Sequence, residues 1–275
     1  MSHDAHHAHE EAPPTGPREP IIRFRAVTKA FGPKRIYTGL DLSVFEGETL
    51  VILGGSGVGK SVMLKMLIGL LPADSGSIEF RGQDVTKMKE KELRLVRQRI
   101  AMIFQASALF DSISVGENVA YGLWEHHHDT MTAEDIKKRV AWALELVGLP
   151  GVEGMKPGDL SGGMKRRVGL ARAIALQPEV LLYDEPTTGL DPINTARINH
   201  LVLGMQRALK VTSIVVTHDM RSAFMVADRI AMVHRGRIIL EKPKEEFRHT
   251  TDPRVRDFIE GNAPPDESLQ ALLSE

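Results

Sequence analysis

The segment Gly54-Gly55-Ser56-Gly57-Val58-Gly59-Lys60-Ser61 restricts this chain more than any other. It fits the pattern G-x-x-x-x-G-K-[ST] in full. Thr49-Leu50-Val51-Ile52-Leu53 precedes it as a short buried strand, and Val62, Met63, Leu64, Met66, Leu67 and Ile68 come after it as an apolar helix. Strand, glycine loop and helix in succession aim free backbone N–H groups and a helix N-terminus at an anion. The expected phosphate contacts are Gly54, Gly55, Ser56, Gly57, Val58, Gly59, Lys60, Ser61 and Val62. Lys60 can reach the terminal phosphates of a nucleoside triphosphate, and the Ser61 hydroxyl can ligate Mg²⁺. A flexible glycine turn that merely ends in Lys-Ser would need neither the strand nor the helix.

A second glycine loop, Leu160-Ser161-Gly162-Gly163-Met164, lies well downstream. After it comes the hydrophobic run Val180-Leu181-Leu182-Tyr183, ending in Asp184 and Glu185. From a strand end, Asp184 can hold Mg²⁺ through its water shell. Glu185 is then expected to face the γ-phosphate as the base that polarises the attacking water. The bland account, two acids opening the turn at Pro186, leaves the adjacent carboxylates without a purpose. A third apolar strand, Ser213-Ile214-Val215-Val216-Thr217, ends at His218. A lone strand-end His is ordinarily a solvated residue, but this strand delivers it beside the same phosphate. Two such loops in this order imply two copies of the chain closing around ATP in a symmetric head-to-tail dimer.

Composition removes several alternatives. With 35 basic and 36 acidic residues among 275, the net charge is -1, and no global field argues for nucleic acid. The absence of Cys excludes disulfides and thiolate metal sites. No apolar run approaches the roughly 20 residues that span a bilayer, and no secretory signal is evident. Action at a membrane would therefore go through a partner.

Residues 1–19 are rich in His, Pro and Glu without apolar periodicity and are expected to be disordered. His3, His6, His7 and His9 read as a solvated tail, since nothing fixes them as metal ligands. Residues 20–245 read as one α/β unit. Antiparallel strands over 21–26 and 40–45 come first, and strands then alternate with helices, which argues for a mainly parallel sheet covered on both faces. A helical insertion occupies about 106–176, with helices over 115–123, 132–147 and 164–176. His126-His127-His128 are expected in a loop before the second of these, which Thr132 caps with Glu134 as its capping-box carboxylate. His234-Arg235-Gly236-Arg237 reads as a hairpin turn. In the tail, 246–275, Val255, Phe258 and Ile259 form an apolar patch at helical spacing that favours docking.

Over about residues 21–241 these motifs, in order, resemble the ATP-binding-cassette (ABC) ATPase family. The resemblance implies a RecA-like P-loop core with a parallel sheet, an antiparallel β subdomain and an inserted helical subdomain. It implies that Phe31 stacks on adenine and that Gln105 is the Q-loop glutamine that senses Mg²⁺ and the membrane partner. Residues 160–164 match the signature loop, whose Ser161, Gly162 and Gly163 contact the ATP held by the opposing copy. Gly189-Leu190-Asp191 matches the D-loop, with Asp191 at the dimer seam, and His218 matches the switch histidine. The implied catalytic set is Glu185, His218, Lys60 and Gln105; the implied metal set is Ser61, Gln105 and Asp184. The usual signature ends in Gln, where this chain has Met164. That removes one side-chain hydrogen bond in trans but leaves the Gly163 N–H and the Ser161 hydroxyl. The neighbouring Lys165-Arg166-Arg167 is expected to put positive charge near the bound ATP.

Within that family, the Met-ended signature, Asp191-Pro192-Ile193-Asn194, the segments 106–112 and 115–121, and residues 252–261 resemble the ATPase subunit of the Mla-type (Mce-associated) phospholipid transporters. This resemblance implies a homodimer held at the cytoplasmic face of a diderm inner membrane by an integral-membrane permease. It also implies an Mce-domain substrate-binding protein in the same complex, a STAS-type regulatory subunit, and a C-terminal tail reaching the neighbouring ATPase subunit. Leu109 and Phe110 fall where a permease's coupling helix would seat. An ABC ATPase for another cargo (amino acid, lipoprotein or solvent) shares every catalytic motif. A soluble ABC ATPase acting on nucleic acid or the ribosome usually adds coiled-coil insertions or a second cassette, and this chain has neither. A nucleotide-regulated module without turnover is at odds with Glu185 and His218.

Overall fold

The computed structural model describes residues 19–104 and 108–262; Gln105, the His-rich N-terminal tail and the last thirteen positions lie outside the described residues. Two sheets organise the chain. The first is antiparallel, in the order β2 (Lys34–Phe45), β1 (Pro20–Phe31), β4 (Ser75–Phe80) and β5 (Gln83–Asp84). The second runs in the order β10 (Arg237–Pro243), β9 (Arg229–His234), β3 (Thr49–Leu53), β8 (Thr212–Thr217), β7 (Val180–Asp184) and β6 (Ile100–Ile103). Every neighbouring pair in it is parallel except β10 with β9. Helices α1 (Lys60–Leu67), α2 (Glu90–Arg99), α3 (Val115–His127), α4 (Ala133–Leu146), α5 (Gly162–Ala175), α6 (Pro192–Leu209), α7 (Met220–Val226), α8 (Lys244–Arg248) and α9 (Pro253–Glu260) complete the described residues.

All five residues of β3 are buried, as expected of a central strand covered on both faces. Its side chains alternate between two apolar clusters. Val51 and Leu53 join Leu181, Tyr183 and Val215 in one, with α3 to α6. Leu50 and Ile52 join Leu182, Ile214 and Val216 in the other, with α1, α2 and the antiparallel sheet.

β1 and β2 are twelve residues each, much longer than the segments expected from sequence. Register shifts between Phe24 and Val27, with Ala26 at φ 46°, break the alternation that marks a strand. Asp41 accepts from the Ala26 N–H at 2.8 Å and holds that irregularity. The hairpin at Arg235-Gly236 forms as expected, with both residues at positive φ. It also fastens the two sheets together. The Thr38 N–H donates to Gly236 O at 3.1 Å, and a Cβ at Gly236 would meet Ile36 O at 2.7 Å.

The helical insertion differs from expectation in two details. His126 and His127 belong to α3, and His128 is its C-cap; they are not in a loop. Tertiary contacts extend that last turn, because Gln98 of α2 meets His126 Nδ1 at 3.1 Å and Arg94 meets Glu125 at 3.0 Å. The capping box of α4 is Thr132 with Asp135, not Glu134, since the reciprocal carboxylate must sit at the third helical position. At the C-terminal end, Phe247 of α8 and Val255 of α9 are fully buried, with Phe258 and Ile259 packed on the same cluster as α3 to α6. The apolar patch of α9 therefore docks on its own chain.

Asn118 of α3 is fully buried and shapes the loop ahead of that helix. It accepts from the Phe110 N–H at 2.8 Å and donates to Phe110 O at 3.0 Å and Ser114 O at 2.9 Å. Asn118→Ala leaves those backbone groups unpaired and is expected to cost about 2–3 kcal/mol. A urea-denaturation midpoint at unchanged slope measures it.

Candidate active site

Parallel register brings three loops to one edge of the sheet. Leu53 pairs with Thr217 and Asp184 with Val216, so the carboxyl ends of β3, β7 and β8 stop together. Three segments leave those strand ends and converge there: Gly54 to Ser61, Asp184 with Glu185, and His218. The open carboxyl edge of a parallel sheet is where such folds hold ligands.

Gly59 caps α1 at φ 105°, and a Cβ there would lie 2.3 Å from Ile36 Cγ2, so only glycine fits. Tyr37 fixes the same residue, its hydroxyl donating to Gly59 O at 2.8 Å. Burial pushes the Tyr37 phenol above its ordinary pKa, which keeps it a donor. Lys60 Nζ donates to Gly54 O at 2.8 Å and Gly55 O at 3.0 Å, and stands 3.2 Å from Glu185 Oε1. The ammonium thus sits inside the loop that would wrap a triphosphate.

Glu185 is the centre of the cluster. Its other oxygen, Oε2, lies 3.0 Å from His218 Nδ1 and accepts from Thr188 Oγ1 at 3.1 Å. Its backbone is at φ 50°, a left-handed conformation costly for a Glu, and its N–H donates to Val216 O at 3.0 Å. Burial raises the Glu185 pKa, but the His218 hydrogen bond and the Lys60 charge outweigh it, and the carboxyl is held below its usual range. It is therefore ionised at neutral pH, as a base must be.

The Ser61 hydroxyl donates to Asp184 Oδ1 at 2.6 Å, and Asp184 is only 8% exposed. A hydroxyl beside a carboxylate is a hard-oxygen donor pair that fits Mg²⁺, which keeps waters and phosphate oxygens and needs few protein ligands. Among the described residues no cluster of three or more His, Asp or Glu gathers at one point, so no fuller protein cage competes for it.

Phe31, expected from the resemblance to stack on adenine, closes β1 half-exposed, with Lys29 Nζ 5.3 Å from its ring centroid. Asp74 secures that strand end, accepting from Lys29 Nζ at 2.8 Å and from the Ala30 N–H at 2.6 Å.

The second glycine loop is not part of this cluster. Ser161 caps α5, its Oγ accepting from the Met164 N–H at 3.2 Å while its own O–H proton stays free to donate. Gly163 lies against Asn194, whose Nδ2 donates to Asp191 Oδ2 at 2.5 Å, and Asp191 caps α6. The expected basic cluster beside the ATP is reduced: Arg166 donates to Pro186 O and Thr188 O, and Arg167 to Val147 O and Gly148 O. Both arginines turn inward because α5 is half-buried and backbone carbonyls there need donors. Tyr37 and Thr188 carried no sequence signal, and Arg166 was legible only as one of the basic residues 165–167.

The fold and this edge define a P-loop nucleotide hydrolase. Residues 37–188 match the ABC transporter family model. The chain is 40% identical to the intermembrane phospholipid transport system ATP-binding protein MlaF of Haemophilus influenzae, over 88% of this chain and 91% of that one. It is also 40% identical to the probable ribonucleotide transport ATP-binding protein mkl of Mycobacterium leprae, over 87% of this chain and 69% of that one. The solved dimer of the ATP-binding cassette MJ0796, in a post-hydrolysis state with ADP and phosphate, superposes with a TM-score of 0.74 at 30% identity, covering 81% of this chain and 98% of that chain. The chain belongs to the ABC transporter family, as an ATP-hydrolysing cassette.

The Glu185 geometry has two measurable outcomes. Glu185→Gln is expected to lower kcat at least ~100-fold with little change in KM for ATP, measured by phosphate release. A carboxyl with a depressed folded pKa stabilises above its ordinary value of about 4.3 and loses that contribution as pH falls through the folded value. The melting temperature of Glu185→Gln should therefore drop less than that of the wild type as pH falls from about 5 to about 3.

Proposed function

We propose that two copies of this chain close head to tail around two ATP and drive a membrane permease that moves phospholipid between inner and outer membranes. The observation that carries the dimer is the division of the machinery. One edge gathers Lys60, Ser61, Asp184, Glu185 and His218, while the Ser161 hydroxyl and the first N–H groups of α5 stand apart from it. A second copy's α5 N-terminus supplies what the γ-phosphate lacks on its open side.

In each site the N–H groups of residues 54 to 61 cradle the phosphates, and Phe31 stacks on adenine. Ser61 and Asp184, with Gln105, would hold Mg²⁺, which supplies positive charge to the phosphate oxygens. Glu185 accepts a proton from the in-line water, and His218 fixes the carboxylate that does so. Lys60 moves from its loop carbonyls onto the phosphate oxygens, where it offsets the charge that develops there. The D-loop Asp191 sits at the seam between copies.

Among the described residues no helix is long and apolar enough to cross a membrane, so a permease provides the membrane attachment in this reading. Phe110 and Tyr121, exposed with ring centroids 4.8 Å apart, lie where its coupling helix would seat. The likeness to MlaF over nine-tenths of both chains supports the phospholipid cargo, the inner-membrane location and an Mla-type complex with Mce-domain and STAS-type subunits. The equal identity to mkl favours a second cargo reading, a ribonucleotide.

Purification with native membrane partners in mild detergent, followed by mass spectrometry, separates the two. A permease with an Mce-domain protein and bound phospholipid is the expected result; nucleotide cargo with a different permease overturns the lipid assignment. ATP should also trap Glu185→Gln as a dimer by light scattering, and a monomer at saturating ATP rejects the dimer.

A further inference from the structure

We propose that Arg166 is a positioning residue for Glu185, tying the signature helix of each protomer to that protomer's own catalytic turn. The inference rests on the dimer reading above. In that dimer, the α5 N-terminus of one copy touches the ATP bound by the other. The fifth residue beyond Ser161 on the same helix is Arg166, whose part-buried guanidinium meets backbone carbonyls and no carboxylate. Nη1 donates to Pro186 O and Nη2 to Thr188 O. These two carbonyls bracket the turn just beyond Glu185.

That turn is under strain and depends on outside support. Glu185 stands at φ 50°, and the Thr188 N–H returns to Glu185 O at 3.3 Å. The Thr188 hydroxyl donates to Glu185 Oε2 at 3.1 Å, on the oxygen that also meets His218. A chain of contacts therefore runs from the signature loop along α5 to Arg166, through the Thr188 backbone, to the catalytic carboxylate. A second contact runs parallel to it, from Gly163 against Asn194 to Asp191 at the D-loop. A planar fork reaches two carbonyls at once, which a lysine ammonium on a flexible stem does not do in a fixed geometry.

Engagement of the signature loop by the partner's ATP thus sets the geometry of Glu185 in the protomer that owns the loop. Each site reports its occupancy to the other through Arg166. Without the clamp, ATP should still bind and the copies should still close, but the base should sit less well over the attacking water.

Mixed dimers test this. One protomer carries Glu185→Gln and binds ATP without turnover; the other keeps Glu185. Arg166→Gln in the protomer that keeps Glu185 is expected to lower kcat about tenfold with KM for ATP unchanged, a loss of transition-state positioning alone. The same substitution placed in the Glu185→Gln protomer is expected to leave kcat unchanged. If the effect appears only in that second arrangement, Arg166 merely shapes the signature loop that grips the neighbour's ATP, and the proposal fails. Equal activity in all arrangements also overturns it. If Arg166→Gln is not recovered folded, Arg166→Lys is read the same way, with a smaller loss expected in the first arrangement. ATP-driven dimerisation of the Glu185→Gln homodimer is the control: its absence rejects the dimer and the coupling together, whereas a dimer with no Arg166 effect rejects the coupling alone.

Discussion

A carboxylate, an ammonium and an imidazole meet at one edge of the sheet, the first two largely buried and the imidazole exposed, and the ion pair between Lys60 and Glu185 is the contact around which the others gather. Taking either charge out of water alone costs several kcal/mol. Each is therefore given further polar partners: Gly54 O and Gly55 O for Lys60, His218 and the Thr188 hydroxyl for Glu185. Those partners stay in place because five parallel strands fix where β3, β7 and β8 end. The left-handed backbone at Glu185, just past the end of β7, is a local cost that this framework offsets. Electrostatic preorganisation of this kind acts before the substrate arrives, and it leaves Lys60 as the group that must exchange its loop carbonyls for a ligand.

The helical insertion is built differently. Its bundle of α3, α4 and α5 shares one apolar cluster with the far face of the sheet, so it has no separate core of its own. Polar side chains that look free on a helical wheel are engaged with backbone. Asn118 holds the loop at Phe110, Arg167 caps the carbonyls that end α4, and Arg139 donates to Ala175 O where α5 ends. Such contacts give the bundle a defined shape while leaving its outer face, with Phe110, Tyr121 and Trp124 exposed, for other surfaces.

Sequence carries the catalytic edge well because glycine, lysine and paired acids have few reasons to stand at those positions otherwise. The strand before Gly54, the helix after Lys60, the end of β7 at Asp184 and the hairpin at Gly236 are all legible for that reason. The long antiparallel strands are not, since bulges at Ala26 and Gly39 interrupt the period-2 pattern that would reveal them. The last turn of α3 reads as loop because three histidines carry no periodicity, and only contacts from α2 keep it helical. Arg166 illustrates a deeper limit. A run of three basic residues reads as charge directed at a bound ATP until the fold shows the carbonyls that face Arg166 and Arg167.

The fastening of Gly236 against β2 has a consequence for how a nucleotide is held. Phe31 and the P-loop belong to different sheets, yet Thr38 bonded to Gly236 O and Tyr37 bonded to Gly59 O make those sheets one rigid frame. On the proposed reading, base and triphosphate would then meet a surface whose two ends are held at a fixed separation. Once one end of such a ligand is seated, the other would be presented at a high effective concentration. Affinity for the intact nucleotide would then exceed what either end gives alone, so that a rigid frame between the two sheets becomes a means of telling ATP from free phosphate or free nucleoside.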